Sequence, residues 1–267
     1  PFTESQPPAN NSCTSPSLID PNTEAVSPPG GTTEDMMGKS KATNDSQGSC
    51  GGAEGTDVVY KIELAQRSLI NVDLVAPFPA TLYIRKDDCS GGDEVYCLAA
   101  NSLSTTPLEP GDYYLFVDAD TAQAKGNFKL TVSTTPAPLP GNDTCATAID
   151  VTFGADGIAT HSGTNQYSLD QYQGTCVQSM NGGGDVVYKF TAGLGQTLDV
   201  TIDADFDALL YVTTGGCGED GTTLACQSDG SLNMSGLAGG TYWLYVDGAG
   251  EKEWGAYDLT ISVQTPQ

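Results

Sequence analysis

The pentapeptide Asp-Val-Val-Tyr-Lys occurs twice in this chain, at residues 57–61 and 185–189. On both sides of it, matching residues recur at the same separation, and one inserted residue shifts the register once. The matched pairs are Tyr83 with Tyr211, Cys89 with Cys217, Cys97 with Cys226, Gly111 with Gly240, and Gly126 with Gly255. A register kept over so many positions indicates duplication of a domain of about 120 residues. This duplication constrains the fold more than any other feature of the sequence.

The repeat predicts four regions in the 267-residue chain. They are a flexible N-terminal arm at 1–10, a first domain at 11–133, a linker at 134–141 and a second domain at 142–267. Prolines at alternate positions of the linker predict an extended polyproline spacer. The arm is expected to be either a loose tail or a segment that pairs with another subunit.

Apolar residues alternate with polar ones in the strongest segments, as in residues 198–203. Period-two alternation predicts strands of a sheet with one buried side and one wet side. Each copy has about eight such runs between Gly, Asp and Pro turns, and neither has a convincing amphipathic helix. The sequence therefore predicts an all-β chain of two tandem antiparallel, jelly-roll-like β-sandwich domains. Residues 20–50 are predicted to form a long loop, and a domain's N-terminal loop or a neighbour is expected to cover Trp243 and Tyr245.

The eight cysteines fall into two sets of four, one set in each copy. No Cys-x-x-Cys spacing is present, so zinc-ribbon and thioredoxin-type sites are not indicated. Cysteines that flank short Gly-rich turns favour hairpin staples. The predicted disulfides are Cys89–Cys97, Cys217–Cys226, Cys13–Cys50 and Cys145–Cys176. Because disulfides persist in oxidising compartments, the protein is expected to be secreted.

The charge of the chain argues against several classes of partner. It has 34 acidic and 10 basic residues, a formal net charge of −24. Such a chain is repelled by nucleic acids and anionic lipids. It also lacks the ~20 consecutive apolar residues of a membrane span. We therefore expect no nucleic-acid partner and no membrane span.

The sequence offers little for catalysis. His161 is the single histidine, it lies at a predicted strand edge, and the first copy has no counterpart. None of the common hydrolase, metalloprotease or phosphate-loop motifs is present. All cysteines are expected to be paired, which leaves no free thiol nucleophile. The prediction is a protein that is not an enzyme and needs no cofactor.

Calcium is the one metal that the acidic residues favour. Asp203, Asp205 and Asp207 alternate, so an extended segment would place their carboxylates on one face. Oxygen ligands of this kind suit Ca²⁺, and a solvated strand end is the alternative. The first copy lacks these acids. Two further pairs, Asp57 with Asp185 and Asp118 with Asp247, recur in both copies and are expected to cap strand ends, with a shared metal as the alternative.

The order of motifs resembles a known bacterial family. In the second copy, Gly-x-Asp-Val-Val-Tyr-x-Phe is followed by Leu-Leu-Tyr-Val, Leu-Ala-Cys and Gly-x-Tyr-x-Leu-x-Val-Asp-Gly. This pattern is similar to the disulfide-bearing variant of the pre-peptidase C-terminal (PPC) domain. The resemblance covers residues 142–264 and, more loosely, 11–133. It implies a secreted β-sandwich accessory module without catalytic activity, some relatives of which bind calcium or matrix polymers.

Two functions are therefore expected. The first is a non-catalytic secreted or cell-surface module, on a bacterial surface, for attachment to an extracellular polymer, matrix or cell-surface component. The alternative is a structural subunit of an extracellular filament, assembled from copies of this chain through the N-terminal arm or edge strands.

Overall fold

The computed structural model describes residues 8–19, 42–52, 54–124, 126, 128–176 and 183–265. The chain divides between Pro138 and Leu139 into two compact units, called here the first and second domains. The greater part of the predicted arm (residues 1–7) and the middle of the predicted long loop (residues 20–41) lie outside the described residues.

The first domain contains two sheets. Its strands are β1 (Ser17–Ile19), β2 (Asp57–Leu64), β3 (Ser68–Val75), β4 (Ala80–Lys86), β5 (Glu94–Leu98), β6 (Ser102–Ser104), β7 (Gly111–Ala119) and β8 (Lys129–Pro136). The five-stranded sheet has the order β1-β2-β7-β4-β5, and the three-stranded sheet has the order β6-β3-β8. The pairing is antiparallel except between β1 and β2. Alternate residues of both sheets, among them Tyr60, Leu115 and Val72, form one buried core.

The second domain repeats this arrangement with one more strand. Its strands are β9 (Ile149–Asp150), β10 (Ile158–Thr164), β11 (Val186–Ala192), β12 (Thr197–Ala204), β13 (Ala208–Thr214), β14 (Thr222–Gln227), β15 (Ser231–Met234), β16 (Gly240–Gly248) and β17 (Ala256–Gln264). The sheet orders are β14-β13-β16-β11-β9 and β10-β17-β12-β15. Tyr188, Leu244 and Ile261 contribute to a core between the sheets.

The predicted all-β fold of two tandem β-sandwiches is confirmed. Asp-Val-Val-Tyr-Lys is a central strand in each domain, since β2 and β11 each lie between two partners of the five-stranded sheet. Within the described residues, no helix has the length and apolar character that crossing a membrane requires. Strand β8 continues to Pro136, so the first three residues of the predicted linker are paired with β3 and not part of a free spacer.

All eight cysteines form disulfides, but the predicted pairing is wrong. The bonds are Cys13–Cys89, Cys50–Cys97, Cys145–Cys217 and Cys176–Cys226. Each domain thus connects its first cysteine to the third and its second to the fourth.

The reason lies in the direction of the side chains. Cys97 lies opposite Tyr83 in the β4–β5 register, so both point to the outer face of the sheet, away from the core between the sheets. The chain at Gly48 passes directly over them: a Cβ there would lie 2.9 Å from the sulfur of Cys97. The cysteine nearest to Cys97 in space is therefore Cys50 and not the sequence neighbour across the hairpin.

Candidate functional site

The outer face of each five-stranded sheet has a stacked pair of aromatic rings. Tyr83 and Phe116 have centroids 4.4 Å apart and planes 5° apart. Tyr211 and Tyr245 repeat this geometry at 4.3 Å and 7°. The pairs form because their members are directly opposite in the β4–β7 and β13–β16 registers. All four rings are buried, although this face is not the one that forms the core.

Segments N-terminal to β2 and β11 cover these rings. We call them the covering segments, residues 8–16 and 42–52 in the first domain and 140–148 and 167–176 in the second. Asn10 accepts a backbone hydrogen bond from Val59 at 2.9 Å, and Asn142 accepts one from Val187 at 2.8 Å. The end of the predicted arm is thus packed onto the sheet. The expectation that the N-terminal loop covers Tyr245 is confirmed, because the Tyr172 ring lies 5.4 Å from it.

A buried carboxylate holds each covering segment in place. Asp57 Oδ2 accepts hydrogen bonds from the backbone N–H groups of Asp45 at 2.7 Å and Ser46 at 3.0 Å. Asp185 Oδ2 accepts the equivalent bonds from Gln171 and Tyr172, both at 2.8 Å. These contacts agree with the structural role predicted for Asp57 and Asp185.

In the first domain, a cation covers the aromatic pair. The Arg85 guanidinium carbon lies 5.4 Å from the centroid of Tyr83 and 5.0 Å from that of Phe116. Arg85 also donates hydrogen bonds to the carbonyl oxygens of Gln47 and Cys89, both at 3.0 Å. The cleft beside it, about 450 Å³, is thus bordered by a cation that is fixed in place.

In the second domain, the equivalent cleft is not occupied by a cation. Thr213 replaces Arg85 in the repeat register, and its hydroxyl donates to the carbonyl of Gly216 at 3.1 Å. The cleft has a volume of about 400 Å³. Its lining residues are Asp170, Gln171, Tyr172, Gln173, Tyr211, Thr213, Gly218, Glu219, Gly221, Thr223 and Tyr245.

This lining combines aromatic rings with polar groups that can both donate and accept hydrogen bonds. Tyr172 is half-buried and its hydroxyl accepts a hydrogen bond from the Cys145 N–H at 2.9 Å, which fixes the ring. Amide, hydroxyl and carboxylate groups surround it. An aromatic surface with a few placed polar groups is typical of sites for small neutral ligands such as sugars. Among the described lining residues there is no histidine, lysine or cysteine.

His161 lies away from this cleft. It is on β10, the outermost strand of its sheet, as the strand-edge prediction required. Its ring centroid is 5.1 Å from that of Tyr188, and partial burial lowers the pKa of its imidazole. Its surroundings are those of a packed surface histidine.

The structure does not gather the three acids proposed for calcium around one point. Asp203, Asp205 and Asp207 are all exposed. Asp203 and Asp205 line one cleft with Asp258, and Asp203 also lines a second cleft with Asp207 and Asp229. Among the described residues, no three His, Cys, Asp or Glu side chains are grouped so as to hold a metal ion.

The sequence interpretation missed the residues of the cleft. Arg85 and Thr213 are aligned by the repeat, so the loss of a cation at a matched position was a usable signal. Tyr172 offered no such signal, because the two copies differ in length between their first two cysteines.

Comparison with known proteins identifies the domain type. The family model described as "Galactose binding domain-like", a T9SS-associated domain, matches residues 9–132 and 141–261. The two matches coincide with the two β-sandwiches. No PPC family model is among these findings, so the PPC resemblance stays a prediction. No curated protein matches the chain.

Several solved structures are similar to parts of the chain. PliG of Aeromonas hydrophila, a periplasmic inhibitor of g-type lysozyme, is 21% identical over 44% of this chain and 96% of its own, with a TM-score of 0.34. PliG of Salmonella Typhimurium is 22% identical over 44% and 97%, with a TM-score of 0.30. The CUB1-EGF-CUB2 region of human MASP-1/3 is 8% identical over 90% and 98%, with a TM-score of 0.25. At these values the likeness carries no functional argument.

Proposed function

The chain belongs to the T9SS-associated galactose-binding-domain-like family, and from that premise we propose that it is a non-catalytic module that attaches to a carbohydrate polymer of the extracellular matrix or bacterial cell surface. The T9SS association and four disulfides indicate a secreted or extracellular protein. The family is one of binding-type β-sandwich domains, which supports attachment over catalysis.

The observation that carries this proposal is the difference between the two clefts. Both domains keep the stacked aromatic pair, yet only the first covers it with the guanidinium of Arg85. The second leaves part of the Tyr172 ring exposed beside amide and carboxylate groups. The CH face of a sugar can pack on such a ring while its hydroxyl groups hydrogen-bond to the polar rim. We therefore assign attachment to the second domain.

The test is affinity electrophoresis of the full chain in gels that contain soluble galactan or, for comparison, mannan. We expect galactan to retard the wild-type chain and Tyr172→Ala to weaken binding by about tenfold, the loss typical of one stacking anchor. Trp254→Ala is the matched control, because Trp254 is an exposed ring of the same domain outside the cleft. Equal losses in both variants, or no retardation by either polymer, would reject the cleft as the attachment site.

The filament alternative makes a different prediction about self-association. It relies on the N-terminal arm, of which residues 1–7 lie outside the described residues, and on edge strands such as β5 and β14. An attachment module should sediment as a monomer at all concentrations. Concentration-dependent polymers that disappear when residues 1–7 are deleted would favour the filament over attachment.

Calcium is a secondary proposal for the acids of the second domain. The PPC resemblance supports it, and the exposed carboxylates of Asp203, Asp205 and Asp207 are oxygen ligands of the kind that Ca²⁺ prefers, so the ion would have to draw them together. Bound calcium would raise the midpoint of thermal unfolding, and Asp205→Asn would remove that rise. A midpoint that is the same in calcium and in EDTA would exclude this role.

A further inference from the structure

Each domain buries two carboxyl groups side by side. Asp57 lies directly opposite Asp118 in the β2–β7 register, and neither has any exposed surface. In the second domain, Asp185 and Asp247 lie opposite each other, directly beside the Val186–Val246 pair at the end of the β11–β16 register. They are 0% and 1% exposed. The same arrangement thus occurs twice in one chain.

Within the described part of the chain, these carboxyl groups have few partners. Both oxygens of Asp118, and Oδ1 of Asp57 and of Asp247, are buried without a hydrogen-bond partner. The backbone of Gly52 lies over Asp118 so closely that a Cβ there would be 2.0 Å from its Oδ2. Water and ions are therefore kept from this side of the carboxyl group.

The charges that face the pairs are mainly negative. In the first domain, Asp45 on the covering segment and Asp120 after β7 repel them, and Arg85 of β4 is the cation that acts on Asp57. The phenol of Tyr83 also faces this pair.

In the second domain, Asp170 repels both members of the pair. The hydroxyl of Tyr211 donates to Asp185 Oδ1 at 3.4 Å. The phenol of Tyr245 also interacts electrostatically with Asp185. Thr213 stands where the first domain has the cation Arg85. Two adjacent buried negative charges would be strongly unfavourable in either setting.

The members of each pair differ in their hydrogen bonds. Burial raises the pKa of Asp118 to about 8, and the neighbouring charge of Asp57 contributes. Burial also raises the pKa of Asp57, but only to about 6, because the N–H groups of Ser46 and Asp45 stabilise its carboxylate. Burial and the charge of Asp185 raise the pKa of Asp247 in the same direction. The member with fewer N–H donors is the one that keeps a proton: Asp118 has none, and Asp247 accepts from the Gly248 N–H alone, whereas Asp57 and Asp185 each accept two.

We propose that each domain holds its covering segment through a carboxyl pair that retains one proton at neutral pH, with Asp118 and Asp247 protonated and Asp57 and Asp185 ionised. The ionised member accepts the two N–H bonds that fix the segment, and the protonated member stays neutral, so that no second charge is buried beside it. Asp185 is thereby a positioning residue for Tyr172. Any effect of Asp185 on ligand binding at Tyr172 rests on the proposed function, whereas the retention of a proton by each pair does not depend on it.

The direction of the pH dependence follows from these shifts. An unfolded Asp has a pKa of 3.8, below the value of about 8 for folded Asp118. The folded state therefore binds more protons than the unfolded state between these values. The stabilisation is complete below about pH 4 and is lost as the pH rises through about 8 for the first domain; the second domain follows in the same direction.

The first experiment counts protons. Calorimetric unfolding of the full chain near pH 7, in buffers of different ionisation enthalpy, should show the release of about two protons, one from each pair. Asp118→Asn and Asp247→Asn should each release about one fewer, and the double variant about none. Asp73→Asn, on an exposed position of β3, is the control and should match the wild type. A wild type that releases no protons would overturn the proposal even if the variants fail to fold.

The second experiment measures how well the covering segment of the second domain is held in place. Amide hydrogen exchange at Gln171 and Tyr172, corrected for intrinsic rates, should accelerate in the wild type above about pH 9, where both carboxyl groups ionise. Asp247→Asn, which stays neutral, should keep these amides protected. If millimolar Ca²⁺ raises the unfolding midpoint of the wild type and not that of the double variant, the pairs hold a metal ion and the proton proposal is wrong. A wild-type chain that releases about two protons on unfolding but does not bind galactan would reject only the proposed function.

Discussion

The guanidinium carbon of Arg85 lies 5.0 Å from the centroid of Phe116. In the second domain, Tyr245 replaces Phe116 and Thr213 replaces Arg85, so a threonine stands where the cation would be. The two domains have the same aromatic pair and the same sheet beneath it. The cleft of the first domain, about 450 Å³, is therefore bordered by a cation, whereas that of the second, about 400 Å³, has a threonine at the matched position.

Replacing that cation should uncover the aromatic pair beside the first cleft. We expect Arg85→Thr to raise the number of galactan-binding sites from about one to two, at a cost of about 1–2 kcal/mol in stability, because cation–π contacts and carbonyl hydrogen bonds are lost. Titration calorimetry with galactan oligosaccharides gives the stoichiometry, and urea unfolding gives the stability. Lys86→Thr removes the adjacent cation, which contacts neither ring, and is the control. A stoichiometry that stays at one would show that Arg85 does not block a site.

The disulfides should be found between the sheet and the covering segments. Peptide mapping without reduction should give Cys13–Cys89 and Cys50–Cys97, and no Cys89–Cys97 peptide. Replacing both Cys145 and Cys217 by Ala should lower the free energy of unfolding by about 4 kcal/mol, since a loop of 72 residues is no longer closed. The free energy of unfolding of this variant is compared with that of the wild type by urea unfolding under oxidising conditions. A decrease in the free energy of unfolding of less than about 1 kcal/mol would contradict stabilisation by the Cys145–Cys217 disulfide.

Gly52 should tolerate alanine far less well than a glycine of similar backbone conformation. Gly52 and Gly195 have φ of +78° and +81°, so alanine is strained at both. That strain costs about 1 kcal/mol. At Gly52 the Cβ would also meet Asp118 at 2.0 Å, whereas Gly195 has no neighbour within 4 Å. We expect Gly52→Ala to cost several kcal/mol more than Gly195→Ala, and equal midpoints of thermal unfolding would argue against a close cover over Asp118.

Asn165 should be a stability determinant of the second domain. It is 1% exposed, its amide donates to the Gly184 carbonyl at 3.0 Å, and its side-chain oxygen accepts from the Gly255 N–H at 2.9 Å. It thus ties the loops that precede β11 and β17. Asn165→Ala leaves these buried groups unpaired and should cost about 2–3 kcal/mol in urea unfolding. Asn233 is exposed, so Asn233→Ala is the control and should lower the free energy of unfolding by less than about 0.5 kcal/mol.

Local pattern was enough to predict the strands. The repeated Asp-Val-Val-Tyr-Lys lies in β2 and, from its first valine onward, in β11. Its alternate residues Val58 and Tyr60 enter the core, while Val59 faces the covering segment. This worked because a strand alternates its side chains with period two, whatever the rest of the chain does. The same reasoning put Tyr245 on the face that an N-terminal loop or a neighbour was expected to cover.

Contacts between distant segments could not be predicted in this way. The hairpin proximity of Cys89 and Cys97 favoured a bond that the sheet does not form, because Cys97 points outward under the segment that carries Cys50. Likewise, the alternation of Asp203, Asp205 and Asp207 predicted a shared face, whereas the end of β12 sends Asp207 to a different cleft from Asp205.

The duplication, the all-β class and the full oxidation of eight cysteines could be predicted from the sequence, because they follow from the repeated register, the period-two alternation and the even number of cysteines. The cysteine pairing, the position of a cation over one aromatic pair and the burial of acids side by side were set by tertiary contacts. Those outcomes depend on how a covering segment crosses the outer face of a sheet, which brings together residues such as Cys50 and Cys97 that are far apart in the chain. Burial under these segments then gives acids such as Asp57 pKa values that no sequence pattern contains.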